Sequence, residues 1–175
     1  PKIKNRYFRL MDLLRKLLFP FALLYGLVTA VRNFLYDKGI FTANRFDIPV
    51  IAVGNLSVGG TGKSPQIEYL IRLLSPQYKV ATLSRGYKRK SKGFVLADAH
   101  SSAEMLGDEP YQFHLKFPDV MVAVDAHRSH GIQRLLPSKP GVILLDDAFQ
   151  HRKVKAGFYI LLTAYNDLYA DDFML

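Results

Sequence analysis

Short apolar runs rich in β-branched residues recur along most of the chain, and segments of helical pattern separate them. The longer runs cover residues 48–53, 78–84, 120–124, 141–147 and 158–163. Runs of this length are typical of buried parallel strands, and their alternation with helices predicts right-handed βαβ units. A further short strand is expected at 94–97, and helices are expected up to residue 74, at 102–117 and at 126–136. The pattern therefore predicts an α/β fold, a parallel sheet flanked by helices.

The helix predicted at 102–117 contains two residues that oppose helix formation. Gly107 and Pro110 both fall inside it, so we expect interruptions at these two positions.

The first forty residues follow a different pattern. Apolar residues recur at helical spacing from Leu10 to Val28, and no charge interrupts the stretch from Leu17 to Val31. These fifteen residues would span roughly 22 Å as a helix, which is less than the ~30 Å hydrocarbon core of a bilayer. Pro20 is expected to kink the helix.

Basic residues surround this apolar segment, and each one near an anionic leaflet contributes on the order of 1 kcal/mol to membrane binding. They are Lys2, Lys4, Arg6, Arg9, Arg15, Lys16 and Arg32. We interpret residues 1–40 as an amphipathic, apolar helix that lies in the interface of a membrane, and residues 41–175 as the domain it serves. A helix buried against that domain and a true membrane span are the alternatives.

The composition narrows the class of partner. Lys and Arg number 24 against 15 Asp and Glu among 175 residues, an excess of 24 − 15 = 9 positive charges. This excess favours an anionic partner: a phosphorylated ligand, anionic lipid or nucleic acid. Nucleic acid fits poorly, because aromatic and basic residues do not interleave and no reader motif occurs. The absence of cysteine excludes disulfides and thiolate metal sites.

A glycine-rich loop between the first strand and the first helix of the sheet carries the clearest chemistry. Its end, Gly62-Lys63-Ser64, matches a phosphate-binding P-loop, although Ser57 stands where the motif has its first glycine. Backbone amides in such a loop point at phosphate oxygens, the lysine reaches the β- and γ-phosphates, and the hydroxyl binds Mg²⁺. The predicted nucleotide-binding residues are Ser57, Val58, Gly59, Gly60, Thr61, Gly62, Lys63 and Ser64. The alternative is a glycine-rich turn with an incidental lysine.

A pair of carboxylates ends a later strand. Asp146 and Asp147 follow an apolar run, and ligands of open parallel sheets lie at the carboxyl ends of the strands. Asp146 would hold Mg²⁺ opposite Ser64, directly or through water. An ordinary acidic turn is the alternative.

Several segments in order resemble one enzyme family. The sequence contains VGNLSVGGTGKSP, LSRGYKRKSKG, GDEPYQF, VDAHRSHG, LLDDAFQHRKV and DDFML, and together they resemble tetraacyldisaccharide 4'-kinase, the lipid A 4'-kinase of Gram-negative bacteria. The family is about twice as long, with a second subdomain. Since the chain also stops on an apolar run without a turn signal, we expect residues 41–175 to be a truncated P-loop domain.

The resemblance implies a reaction and roles. It implies phosphoryl transfer from ATP, with Mg²⁺, to the 4'-hydroxyl of a tetraacylated disaccharide 1-phosphate at the cytoplasmic face of the inner membrane. Asp108 would be the base that accepts the sugar hydroxyl proton, with Lys63 at the phosphates. Residues with substrate or accessory roles would be Arg85, Tyr87, Glu109, Arg128, Asp147, Gln150 and His151. Without the resemblance, Asp108 and Glu109 are better interpreted as a helix cap before Pro110.

Other interpretations stay open at this stage. The loop also resembles that of partition-type ATPases, a class of membrane-associated switch, but Val58 stands where that class has a lysine. The chain could also bind nucleotide and membrane without turnover. The basic stretch 87–92 fits an anionic lipid substrate or leaflet, or is simply a solvated charge run.

Overall fold

The computed structural model describes residues 2–55, 62–149 and 152–164. The chain divides into two compact units, Pro1–Thr42 and Ala43–Leu175.

The first unit is built on a single long helix, α1, which covers Lys2–Asp37 and continues through Pro20. The stretch Leu18–Tyr36 is 19 residues long with a mean hydropathy of 1.5, and it is apolar and long enough to cross a membrane. The apolar stretch is therefore longer than the fifteen residues counted from the sequence, so its length does not exclude a span. Large apolar side chains along it are exposed, among them Phe21 and Tyr25.

The second unit contains the predicted strands and helices. Its strands are β1 Val50–Asn55, β2 Val80–Ser84, β3 Val95–Leu96, β4 Met121–Val124, β5 Val142–Asp146 and β6 Phe158–Leu162. Its helices are α2 Lys63–Leu74, α3 Ala103–Leu106, α4 Asp108–Lys116 and α5 Arg128–Leu135, with a 3₁₀ turn at Leu136–Ser138. Each apolar run named above overlaps a strand, so these predictions are confirmed, although β1 extends two residues beyond the run 48–53.

The expected interruptions near residues 107 and 110 have different outcomes. Gly107 separates α3 from α4, as predicted, whereas α4 continues through Pro110. The prediction of a break at Pro110 was wrong because this proline is the third residue of α4. The N–H groups of the first turn of a helix have no intrahelical partner, so the absence of an N–H group on Pro110 removes no hydrogen bond there.

The strands form one sheet in the order β3-β4-β2-β5-β1-β6. The pairs of β1 with β5 and β6, and of β2 with β4 and β5, are parallel. β3 is antiparallel to β4, so the sheet is mostly rather than wholly parallel. The α/β fold predicted from the sequence is confirmed with this addition.

Helices cover both faces of the sheet. Ile132 and Leu135 of α5 pack with the side chains on one face, such as Ile143. On the other face, Ile67 of α2 and Phe113 of α4 belong to a second cluster. Successive β5 residues alternate between the two clusters, which explains why this strand is a continuous apolar run in the sequence.

The parallel strands place their carboxyl ends at one edge of the sheet. Asn55 ends β1, Ser84 ends β2 and Asp146 ends β5, and these three strands are neighbours in the order β2-β5-β1. Three polar residues that are distant in sequence therefore meet at the edge from which α2 departs.

Candidate active site

The predicted nucleotide loop connects this edge to helix α2. β1 ends at Asn55 and α2 begins at Lys63, so the strand, loop and helix occur in the predicted order. Gly62 precedes the helix with φ of +83°, a left-handed conformation that a glycine adopts without strain. Ser57, Val58, Gly59, Gly60 and Thr61 lie outside the described residues.

Lys63 links the ends of two neighbouring strands. Its Nζ donates to Asn55 Oδ1 at 2.8 Å, at the end of β1. The same Nζ lies 3.2 Å from Asp147 Oδ1, just after β5. The positive charge is therefore held at the carboxyl edge of the sheet and at the first turn of α2, where the helix dipole also favours anions.

The two aspartates after β5 occupy different environments. Asp146 is buried, and Ser84 Oγ donates to its Oδ2 at 3.2 Å. Burial, followed by the nearby negative charge of Glu109, raises the pKa of Asp146 to about 6. Asp147 is exposed and adopts φ of +50°. Of these two aspartates, Asp146 is therefore the one whose negative charge a bound cation would stabilise strongly.

The first turns of α2 and α4 meet at this edge. Ser64 Oγ, on α2, donates a hydrogen bond to Glu109 Oε1, on α4. Asp108 precedes Glu109 as the first residue of α4, and its side chain is exposed. The predicted catalytic base thus lies one residue away from a side chain that contacts the predicted nucleotide loop.

The oxygen groups at this edge suit a magnesium ion. Among residues 2–55, 62–149 and 152–164, no three His, Cys, Asp or Glu side chains form a metal-binding group. Mg²⁺ needs no such group, because it keeps several waters and uses one or two carboxylates together with phosphate oxygens. The Ser64 hydroxyl and the Asp146 carboxylate are ligands of the right chemistry. Glu109 is linked to both, because it accepts a hydrogen bond from Ser64 and its negative charge raises the pKa of Asp146.

The loop after β2 lies against the start of α4. A Cβ atom at Gly107, where φ is +91°, would be 2.9 Å from the carbonyl oxygen of Tyr87. Arg85 and Tyr87 are exposed in this loop, and Lys88 Nζ lies 5.3 Å from the centre of the Tyr87 ring. The structure therefore brings the main chain of Tyr87 close to Gly107, the residue before Asp108.

Arg128 has a different position from the other predicted residues. It is only 3% exposed and donates to main-chain oxygens at the ends of β4 and β5. Gln150 and His151 lie outside the described residues.

The site includes residues that were not predicted. Asn55 and Ser84 each end an apolar strand, and they contact Lys63 and Asp146 respectively. Asp125 follows β4 and accepts from the His127 amide at 2.8 Å. All three are polar residues at the end of an apolar run, which is the same signal that singled out Asp146.

Comparisons with known proteins agree on one family. The sequence model of LpxK, described as tetraacyldisaccharide-1-P 4'-kinase, matches residues 14–175. A tetraacyldisaccharide 4'-kinase from Flavobacterium johnsoniae is 76% identical over 94% of this chain and 49% of its own length. The protein of the same name from Bacteroides thetaiotaomicron is 56% identical over 93% of this chain and 43% of its own length.

A solved structure supports the same assignment. LpxK from Aquifex aeolicus in complex with ATP matches with a TM-score of 0.78 and 44% identity, over 85% of this chain and 48% of that chain. This chain thus spans about half the length of the relatives it matches. The resemblance inferred from the six sequence segments is confirmed: the chain belongs to the tetraacyldisaccharide-1-P 4'-kinase family.

Proposed function

We propose that this chain forms the nucleotide-binding part of an ATP-dependent kinase that phosphorylates the 4'-hydroxyl of a tetraacylated disaccharide 1-phosphate in lipid A biosynthesis. The observation that carries the proposal is the position of Lys63, which lies at the start of α2 and contacts the ends of β1 and β5. The family match supports the choice of reaction, and the complex of the Aquifex aeolicus relative with ATP supports the choice of nucleotide.

In this proposal, the described residues around Lys63 bind and orient the triphosphate. Lys63 exchanges its contacts with Asn55 and Asp147 for phosphate oxygens, which carry more charge than one carboxylate. From the sequence, the amides of residues 57–62 are expected to complete the phosphate cradle. Gln150 and His151 are proposed as accessory residues near the nucleotide.

Ser64 and Asp146 would hold Mg²⁺, with the ion supplying charge neutralisation between the phosphate oxygens. The raised pKa of Asp146 reflects a buried charge without an adequate counter-charge, which a bound cation provides. Asp147 contacts Lys63 and Glu109 contacts Ser64, and both carboxylates would be released when Lys63 and Ser64 engage the nucleotide.

Asp108 would accept the proton of the acceptor hydroxyl. It is exposed at the start of α4, and the next residue, Glu109, contacts Ser64. Phosphoryl transfer depends mainly on positioning and charge neutralisation, so a carboxylate at this position suffices as base. Arg85 and Tyr87, on the adjoining loop, are proposed to contact the acceptor.

The transfer itself can be measured directly. Labelled ATP, Mg²⁺ and the acylated disaccharide 1-phosphate are incubated with this 175-residue chain and, in parallel, with the full-length Flavobacterium johnsoniae relative. Labelled product from the relative supports the assignment for the family. Product from the relative alone, with nucleotide binding by both proteins, would make this chain a nucleotide-binding segment without turnover. Product from neither would refute the proposed reaction.

We also propose that residues 1–40 associate with the cytoplasmic face of the inner membrane, where such an acylated acceptor would be available, while residues 41–175 bind the nucleotide. The exposed apolar residues of Leu18–Tyr36 and the surrounding basic residues support this placement. Deletion of residues 1–37 should release the protein from vesicles containing anionic lipid in a flotation assay. Unchanged binding of the shortened protein would place the anchor elsewhere.

A further inference from the structure

Arg128 is a charged side chain without access to solvent. It is the first residue of α5 and only 3% exposed, although arginine is rarely buried unless it is fully paired. Its Nη1 donates to the Asp125 carbonyl at 2.6 Å, and its Nη2 donates to the Asp146 carbonyl at 3.0 Å. Its Nε has no hydrogen-bond partner in the described part of the chain.

These two carbonyls lie at the ends of strands that are not neighbours. The sheet order is β4-β2-β5, so the guanidinium of Arg128 reaches across the end of β2. The end of β2 joins the same network, because the Asp125 amide donates to the Ser84 carbonyl at 3.0 Å and Ser84 Oγ donates to Asp146 Oδ2 at 3.2 Å. Arg128 thus bridges the ends of β4 and β5, and the hydrogen bonds of Ser84 connect the end of β2 to both.

Burying a guanidinium opposes stability, because the charge loses its contacts with water. Arg128 is nearly fully buried, and its two hydrogen bonds go to main-chain oxygens rather than to carboxylates. An apolar side chain of similar volume at such a position is often neutral or stabilising. The arrangement is therefore not explained by stability alone.

We propose that Arg128 is a positioning residue, which fixes the main chain of Asp146 and so directs the carboxylate of Asp146 at the bound cation. Its burial leaves no surface for an acceptor phosphate, so it does not contact the acceptor. This inference rests on the proposed function, and it makes specific the substrate or accessory role that the family resemblance implied for Arg128.

The test separates a role at the cation from a role at the acceptor. The substitutions Arg128→Lys and Arg128→Met are made in this chain and at the equivalent position of the full-length Flavobacterium johnsoniae relative. Arg134 is the matched control, since it lies on the same helix but is exposed and stacks on Phe94 at 5.6 Å. Arg134→Lys and Arg134→Met receive the same measurements.

The first readout is the Mg²⁺ concentration that gives half-maximal binding of a non-hydrolysable ATP analogue. We expect Arg128→Met to raise it by about 10–100-fold, the range seen when residues that orient metal ligands are removed. Arg128→Lys, which can contact one of the two carbonyls, should have a smaller effect. The second readout is the KM for the acceptor in the full-length relative, which the Arg128 variants should leave unchanged. The Arg134 variants should change neither the Mg²⁺ concentration for half-maximal binding nor this KM.

Several results would overturn the inference. A raised acceptor KM with unchanged Mg²⁺ dependence would show that Arg128 contacts the acceptor, and no change in either quantity would show that it is only structural. If Arg128→Met fails to fold by circular dichroism, Arg128→Lys decides the question by the same criteria. The absence of Mg²⁺-dependent nucleotide binding in the unsubstituted proteins would instead refute the proposed function, and this inference with it.

Discussion

The substitution Asp146→Asn should stabilise the protein in the absence of metal, and by an amount that depends on pH. Burial and neighbouring negative charge raise the pKa of Asp146 to about 6, from an ordinary value of 3.8. A carboxyl group with a raised pKa binds its proton more tightly in the folded state than in the unfolded state. Protonation of Asp146 therefore increases the free energy of unfolding at low pH, and this contribution is lost as the pH rises through the folded-state pKa.

The size of the effect follows from the two pKa values. The destabilisation by Asp146 is less than about 1 kcal/mol at pH 4 and approaches about 3 kcal/mol at pH 7 and above. Asparagine carries no charge at any of these pH values and still offers an oxygen to Ser84 Oγ. The difference in the free energy of unfolding between Asp146→Asn and the unsubstituted protein should therefore grow between pH 4 and 7 and then level off.

Urea unfolding followed by circular dichroism between pH 4 and 8, with a chelator present, measures this difference. Asp147→Asn is the control, because Asp147 is exposed and its pair with Lys63 is worth at most about 1 kcal/mol. A constant difference across the pH range would refute the reasoning, as would destabilisation by Asp146→Asn at pH 7. Either result would mean that the carboxylate is better solvated or better paired than its contacts indicate.

Three further predictions test the site. Lys63→Ala should abolish phosphoryl transfer by the full-length relative and weaken nucleotide binding. The control Lys79→Ala, which removes an exposed contact to a main-chain oxygen, should do neither. Undiminished transfer by Lys63→Ala would show that the phosphates bind elsewhere. Ser64→Ala should reduce the dependence of nucleotide binding on Mg²⁺ in calorimetric titrations, and an unchanged dependence would exclude the hydroxyl as a ligand. Gly54→Ala should destabilise the protein by about 1–3 kcal/mol in urea unfolding, because the Cβ of the new alanine would lie 2.6 Å from the Phe149 Cβ. Unaltered stability would show that the loop after β5 can move.

The sequence predicted the central strands β1, β2 and β5 well because they are buried on both faces of the sheet. Val142 to Leu145 alternate between the two hydrophobic clusters, so the strand is apolar at every position and its ends are clear. β3 has only two residues, which is too short for a pattern to reveal its direction. Its antiparallel pairing depends on contacts with β4 that only the folded chain provides.

The site was predictable as a set of residue types but not as a set of environments. Asp146 and Asp147 are equivalent in the sequence, yet one is buried beside Ser84 and the other is exposed. Their difference arises because β5 ends between them and the chain turns at Asp147. The burial of Arg128 was equally hidden, since an arginine at the start of a short helix is usually solvated.

The close approach of Gly107 to the main chain of Tyr87 has a consequence for redesigning the loop after β2. Because this contact is between backbones, it fixes where the loop after β2 begins without reference to the side chains that follow. The stretch 88–92 also contacts α3, since the Lys90 amide donates to the Glu104 carbonyl at 2.7 Å and Lys90 Nζ pairs with Glu104 Oε1 at 2.8 Å. Exchanging this stretch for that of a relative would therefore keep the loop in place only if Gly86, Gly107 and the contact with Glu104 are kept.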